Sequence, residues 1–216
     1  MSEMSLKTLV LGMVQTNCYI VSNSETKEAI VFDPAESADR IEQYLKANDL
    51  VCKGILLTHG HFDHILAATE LAAMTRSPIH AHEAEAKLLE DPHLNASSQI
   101  RRECSVLPEI LLKDGQSLSL VGFTIKVIHT PGHTAGGVCY YFPGHGILIS
   151  GDTLFLESIG RTDLPTGNSK QLVASINDKL MILEDQVKVY PGHGDPTTIG
   201  YERDNNIYLS SNWFEE

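Results

Sequence analysis

Seven side chains of this sequence could hold metal ions: His59, His61, Asp63, His64, His133, Asp152 and His193. Four of them fall within Thr58-His59-Gly60-His61-Phe62-Asp63-His64, and each of the other three follows a glycine directly. Imidazole and carboxylate suit zinc, iron or manganese, whereas calcium prefers cages made wholly of oxygen. Seven donors exceed the three or four that one tetrahedral zinc takes. They match two cations that share one carboxylate and one water. Such a water ionises near neutral pH and can attack a carbonyl or phosphoryl centre. A closed structural site would favour thiolates, and no cysteine stands near these turns. A histidine-rich polar turn without a metal is the plain alternative for residues 58–64. Three histidines and an aspartate at this spacing speak against it.

Each candidate follows an apolar run. Gly54-Ile55-Leu56-Leu57 leads into His59, and an alanine-rich helical pattern covers residues 65–74. If the turn between them stays extended, His59, His61 and Asp63 point the same way, because side chains alternate along an extended chain. Asp63 is also placed to cap the helix. Residues 123–128 lead to Thr130-Pro131-Gly132-His133, residues 146–150 to Gly151-Asp152-Thr153, and residues 187–190 to Pro191-Gly192-His193. The small neighbours let backbone come close. Four strand ends brought together would build one pocket at the edge of a sheet system. Thr58, Thr134 and nearby backbone carbonyls are candidates to orient the imidazoles from behind.

The rest of the chain supplies the frame. Strands are expected at residues 7–11, 17–22 and 28–33, the last ending at Asp33, which either caps a helix or stands behind a ligand. Helical spacing over residues 36–48 turns Ile41, Tyr44 and Leu45 inward. The helix after the histidine cluster runs to about residue 76, where Ser77-Pro78 stops it. Ile79-His80-Ala81-His82 reads as a short strand and residues 83–90 as a helix, with His80 structural and His82 a cap. Residues 91–108 either cover the site or form a surface connection, with His93 solvated. Hairpins are expected at 117–128, around Val121-Gly122, and at 138–150, with His145 exposed at the tip. Residues 156–168 read as a polar loop. Ser169 caps a helix to about residue 183 with Leu172, Ile176, Leu180 and Leu183 inward. One or two helical turns follow at 199–206, and Trp213-Phe214 would pack the tail.

Composition fits one soluble globular domain over residues 1–216, with 42% hydrophobic and 20% charged residues. A formal net charge of -12 argues against nucleic acid or an anionic membrane surface as the main partner. Cys18, Cys52, Cys104 and Cys139 are scattered without a CxxC pair, which reads as free thiols in a reducing compartment. The start has no apolar core of signal-peptide length, and no run approaches membrane-spanning length. A cytoplasmic location is expected.

With Thr58-His59-Gly60-His61-Phe62-Asp63-His64, Thr130-Pro131-Gly132-His133-Thr134, Gly151-Asp152-Thr153-Leu154-Phe155 and Pro191-Gly192-His193-Gly194 in this order, the chain resembles the metallo-β-lactamase-fold hydrolases. Within them it is similar to the glyoxalase II-like hydroxyacylglutathione hydrolases of the short, single-domain bacterial type. The resemblance extends from Asn17-Cys18-Tyr19 to Thr197-Thr198-Ile199-Gly200-Tyr201-Glu202-Arg203. It implies an α/β (α+β) fold, an αβ/βα sandwich of two mixed β-sheets flanked by helices, with the site at one edge. It implies one metal on His59, His61 and His133, a second on Asp63, His64 and His193, and Asp152 bridging both. Zinc is the first expectation, with iron or manganese also accepted. The implied reaction is hydrolysis of a small-molecule thioester such as S-D-lactoylglutathione by a metal-bridging hydroxide, with Asp63 taking its proton while remaining a ligand.

Two departures from the family pattern bear on substrate. Residues 194–216 are too few for the C-terminal helical domain that clamps glutathione in glyoxalase II. Arg161 matches a basic position that contacts the glycine carboxylate of glutathione, but Asp163 stands where an aromatic residue is expected. Arg161 therefore either binds a substrate carboxylate or pairs with Asp163 as a loop brace. Rival readings are a mononuclear iron persulfide dioxygenase-like oxygenase using His59, His133 and Asp152, a metallohydrolase of another ester, lactone or lactam, and a non-catalytic metal-binding module.

Overall fold

The computed structural model describes residues 3–209, so the expected packing of Trp213-Phe214 lies outside the described residues. The first half of the chain builds one six-stranded sheet: β1 (Met4–Leu11), β2 (Thr16–Asn23), β3 (Glu28–Phe32), β4 (Val51–Leu56), β5 (Ile79–His82) and β6 (Ile110–Leu112), side by side in chain order. The first three are antiparallel and the last four run parallel. Parallel neighbours need crossovers, and these carry α1 (Ala38–Ala47), α2 (Phe62–Ile65), α3 (Ala68–Thr75) and α4 (Ala86–Glu90).

The second half repeats the plan. It forms β7 (Ser117–Leu120), β8 (Phe123–His129), β9 (Val138–Phe142) and β10 (Ile147–Gly151), then a small hairpin of β11 (Leu154–Phe155) and β12 (Ser158–Ile159). Next come α5 (Ser169–Ser175), β13 (Lys188–Pro191), β14 (Thr197–Thr198) and α6 (Ile199–Asn205). The sheet order is β14-β13-β10-β9-β8-β7, with β10 and β13 parallel and the other pairs antiparallel.

The alternation of side chains along strands decides the layering. In β2, Cys18 and Ile20 face Ile41, Leu45 and Leu71 of the helices, while Tyr19 and Val21 face the other sheet. Phe32 meets Tyr140 and Phe142 there, with ring centroids 5.3 and 6.1 Å apart. On the far side of the second sheet, Leu148 and Val189 pack on Leu172, Ile176 and Ile199. The result is helix, sheet, sheet, helix. It is the αβ/βα sandwich of two mixed sheets expected from the resemblance. Burying each large side chain in these layers contributes about 1.5–3 kcal/mol. No helix among the described residues is long and apolar enough to cross a membrane. Cys18, Cys52 and Cys139 are buried free thiols and Cys104 is half-buried.

Several local expectations change. The helix after the histidine cluster is two helices, because the Ala67 amide bonds Pro34 O at 3.0 Å and leaves the helical ladder. The cap of α5 is Asn168, whose side chain accepts the Gln171 amide at 3.0 Å, and Ser169 is the first helical residue. That helix passes into a wider turn over Ile176–Leu180 and stops short of Leu183. Residues 156–168 hold the strand β12 rather than only a loop. His80 and His82 act as expected, one bonding Ile55 O and the other accepting the Ala84 amide.

Candidate functional site

The C-terminal ends of β4, β8, β10 and β13 meet at one edge of the sandwich and bring the seven expected residues together. His59 follows β4, and His61 stands at the N-terminus of α2 in extended conformation. The extended alternation ends there. Asp63 lies in the first turn of α2, on a different side from His59 and His61, and it caps nothing. The single direction expected for His59, His61 and Asp63 is therefore corrected: the helix begins at Phe62, one residue before Asp63, so Asp63 does not join that face. As a consequence the short motif serves two donor groups rather than one.

Three groups of donor atoms could each hold an ion: His59–His61–His133, His59–His64–Asp152 and Asp63–His64–His193. His133 Nε2 lies 3.2 Å from His59 Nε2 and 2.9 Å from His61 Nδ1. His64 Nε2 lies 3.3 Å from both His193 Nε2 and Asp152 Oδ1. Asp152 Oδ2 is 3.6 Å from His133 Nε2 and from His193 Nε2, so this carboxylate stands between the groups.

The outer partners fix which nitrogen faces inward. His133 Nδ1 donates to Arg161 O at 2.7 Å. Thr58 Oγ1 donates to Asp33 Oδ2 at 2.6 Å, so it accepts from His59 Nδ1 at 3.1 Å. Both rings then aim an Nε2 lone pair at the same point from 3.2 Å apart. Two lone pairs so placed repel unless a cation lies between them. Ligand nitrogens around a tetrahedral zinc stand about 3.3 Å apart, given Zn–N of about 2.0–2.1 Å. The buried His61 Nε2 and Asp152 Oδ1 carry no hydrogen bond. The donor set fits divalent cations, and its chemistry does not choose between zinc and iron.

Asp33 resolves to the partner-behind-a-ligand reading. It accepts Thr58 N at 2.7 Å and His64 Nδ1 at 2.9 Å, and it begins no helix. Thr58 works as expected, but Thr134 makes no hydrogen bond to any imidazole. The carbonyls of residues 57 and 58 also tie this turn down: Val138 N donates to Thr58 O and Tyr140 Oη to Leu57 O, both at 2.8 Å. Asn17 holds the His193 turn through Pro191 O and Gly194 O, at 3.0 and 2.9 Å. Glycine is required at residue 192, where a Cβ would stand 2.2 Å from Asp152 Oδ1.

Electrostatics separate the donors. Burial, then the nearby His64, pushes His59 well below the ordinary histidine value, and burial takes His61 to about 3. Burial would also lower His64, but Asp152, Asp63 and Asp33 outweigh it and hold it well above. Asp152 stays well below the carboxylate range because His64 overcomes its burial.

A cleft of about 390 Å³ opens over the donors, and Val14, Phe62, Ala96, Leu164 and Arg161 complete its lining. Ala96 places the 91–108 segment against the site, and Asn95 O accepts the Phe62 amide at 2.9 Å. His93 and His145 are exposed, away from it. Arg161 reaches the mouth with its guanidinium in two 2.7 Å hydrogen bonds to Asp163. Sequence reading missed Val14 and the buried Glu85. No local signal marks Glu85, which stands in a run that reads only as a helix.

A family model for the Metallo-beta-lactamase superfamily matches residues 11–193. The chain is 34% identical over 211 residues to the hydroxyacylglutathione hydrolase GloC of Haemophilus influenzae, which covers 96% of this chain and 99% of that one. The BLEG-1 B3 metallo-beta-lactamase superposes with a TM-score of 0.91 at 43% identity, over 95% of this chain and 100% of that one. A di-iron-bound form of TTHA1623 does so with a TM-score of 0.85 at 34% identity, over 94% and 100%.

Proposed function

The chain belongs to the metallo-beta-lactamase superfamily, and from that premise we propose that it hydrolyses small thioesters, of the hydroxyacylglutathione type, at a site for two divalent cations. Metallo-hydrolase is the family-level statement, and the thioester and the number of cations are our reading. One observation carries it: Asp152 stands between two donor groups with a buried, unbonded Oδ1. His59, His61 and His133 would hold one cation, Asp63, His64 and His193 the other, and Asp152 both. An oxygenase with a single iron would need only His59, His133 and Asp152. It would leave Asp63, His64 and His193 gathered for no purpose.

Bound cations would supply a water that ionises near neutral pH and positive charge for the oxyanion. The chain's own residues do the rest. Asp63 lines the cleft, with Oδ2 3.2 Å from His193 Nε2 and 3.3 Å from Thr16 Oγ1. The Asp63 carboxylate is placed to take the water proton as the C–O bond forms and, in turn, the C–S bond breaks. The electron pair of the broken bond leaves with the thiolate, whose low basicity makes its protonation optional. Val14, Phe62 and Leu164 exclude water from the acyl side and favour apolar substituents. We read the exposed Arg161–Asp163 pair as a brace that competes with a substrate carboxylate for the guanidinium. The GloC relative supports the thioester, and Asp163 argues for a weaker grip on the glutathione carboxylate.

The test is turnover of S-D-lactoylglutathione beside uncharged thioesters by zinc-loaded protein. Hydrolysis of both is expected, and His59→Ala and Asp152→Ala should abolish it together with metal binding. Activity retained without bound metal would refute the reading.

A further inference from the structure

Behind the three-histidine group sits a carboxylate that no step above uses. Glu85 ends the short 3-10 turn Glu83–Glu85 before α4 and is 1% exposed. Its Oε1 accepts the Gly60 amide at 2.8 Å, and its Oε2 accepts the Gly136 amide at 2.7 Å. Gly60 lies between His59 and His61, and Gly136 lies just past His133. One carboxylate therefore joins the two loops whose imidazoles face each other. The fit is close at both ends. A Cβ on Gly136 would stand 2.4 Å from Glu85 N, and one on Gly60 would stand 2.7 Å from Leu88. Burial lifts this carboxyl above its ordinary value, and the Gly60 amide, the Thr134 hydroxyl and the Gly136 amide work against that. Two amides at opposite oxygens call for an acceptor at both, which an ionised carboxylate provides and a carboxamide does not.

We propose that Glu85 is a positioning residue for the cation of His59, His61 and His133. It sets the separation of the two loops, and so the affinity of that cation alone. The other group is braced elsewhere, His64 by Asp33 and the His193 turn by Asn17. The inference rests on the metal-binding reading of the site and is independent of the thioester.

The test uses Glu85→Gln, which keeps the shape but sets an N–H against a backbone N–H at one end. Zinc is the probe, in competition with a chromophoric chelator. One of the two zinc equivalents should weaken about tenfold or more, the size typical for groups behind metal ligands, while the other keeps its affinity. In a His193→Ala background the remaining zinc should still respond to Glu85→Gln, and in a His61→Ala background it should not. Glu85→Asp, which keeps the charge but not the reach, should give the same selective loss if Glu85→Gln fails to fold. Unchanged affinities in both variants, or equal weakening of both zincs as general loss of fold would give, overturn the proposal. A wild-type chain that binds no zinc overturns it together with the metal-binding reading, whereas bound zinc without thioester turnover counts only against the thioester.

Discussion

The two donor groups differ in what surrounds them. His59, His61 and His133 are 3 to 4% exposed and have no carboxylate among them. Asp63 and His193 keep side-chain exposures of 14 and 25%, and their group carries carboxylate charge. Burial holds His59 and His61 below the ordinary histidine value, so these two rings are ready for a cation near neutral pH. The mixed group instead fills the role of the cation with protons when empty: Asp63 and Asp152 overcome burial and hold His193 above its ordinary value. One motif of seven residues therefore feeds two sites of opposite character. The helix that starts inside it is what divides them.

Replacing the shared residue should break both halves. Asp152→Ala is expected to lose both cations and to reduce hydrolysis to background, measured by metal content and turnover. His61→Ala and His193→Ala should each lose one zinc equivalent, from opposite halves, and either loss should remove most activity. Asp33→Asn should weaken the zinc held with His64 by about 10–100-fold, through loss of the partner behind the ring, and through Thr58 should weaken the zinc held with His59 as well, as read by chelator competition.

Acid should separate the halves further. His61, at about 3, has no proton to displace near neutrality. His193 lies above the unfolded value near 6.5, so its protonated pairing is present below that value and is lost as pH rises through the raised one. A cation must displace that proton, and affinity at the mixed group should fall as pH drops from about 8 to 6. Zinc binding at each pH, with the release of protons, reads this directly. The smallest effect belongs to the mouth. Asp163→Asn should raise kcat/KM for a carboxylate-bearing thioester relative to an uncharged one by no more than about fivefold, since water and salt screen an exposed pair.

His59, His133, Asp152 and His193 were legible because each is a ligand-type residue beside glycine after an apolar strand, and His61, Asp63 and His64 because they crowd into the same turn as His59. The strand β8 was legible from alternation, whereas the layers were implied by the resemblance. What escaped reading depends on contacts distant in sequence. The break in the helix at Ala67 is made by Pro34 O, and the role of Asp33 by Thr58 and His64. Arg161 left two readings open because only the fold shows how closely Asp163 engages it. Glu85 was read only as part of a helix, since nothing local in the sequence says that one loop 25 residues before it and another 51 residues after it will meet on its carboxylate.

Metal-free protein titrated with zinc, with bound metal and S-D-lactoylglutathione hydrolysis followed together, tests the shared carboxylate most directly. The account expects saturation at two equivalents per chain, with hydrolysis reaching its maximum as the second binds. Saturation at one equivalent, or one iron per chain with oxygen uptake on a persulfide, would contradict it.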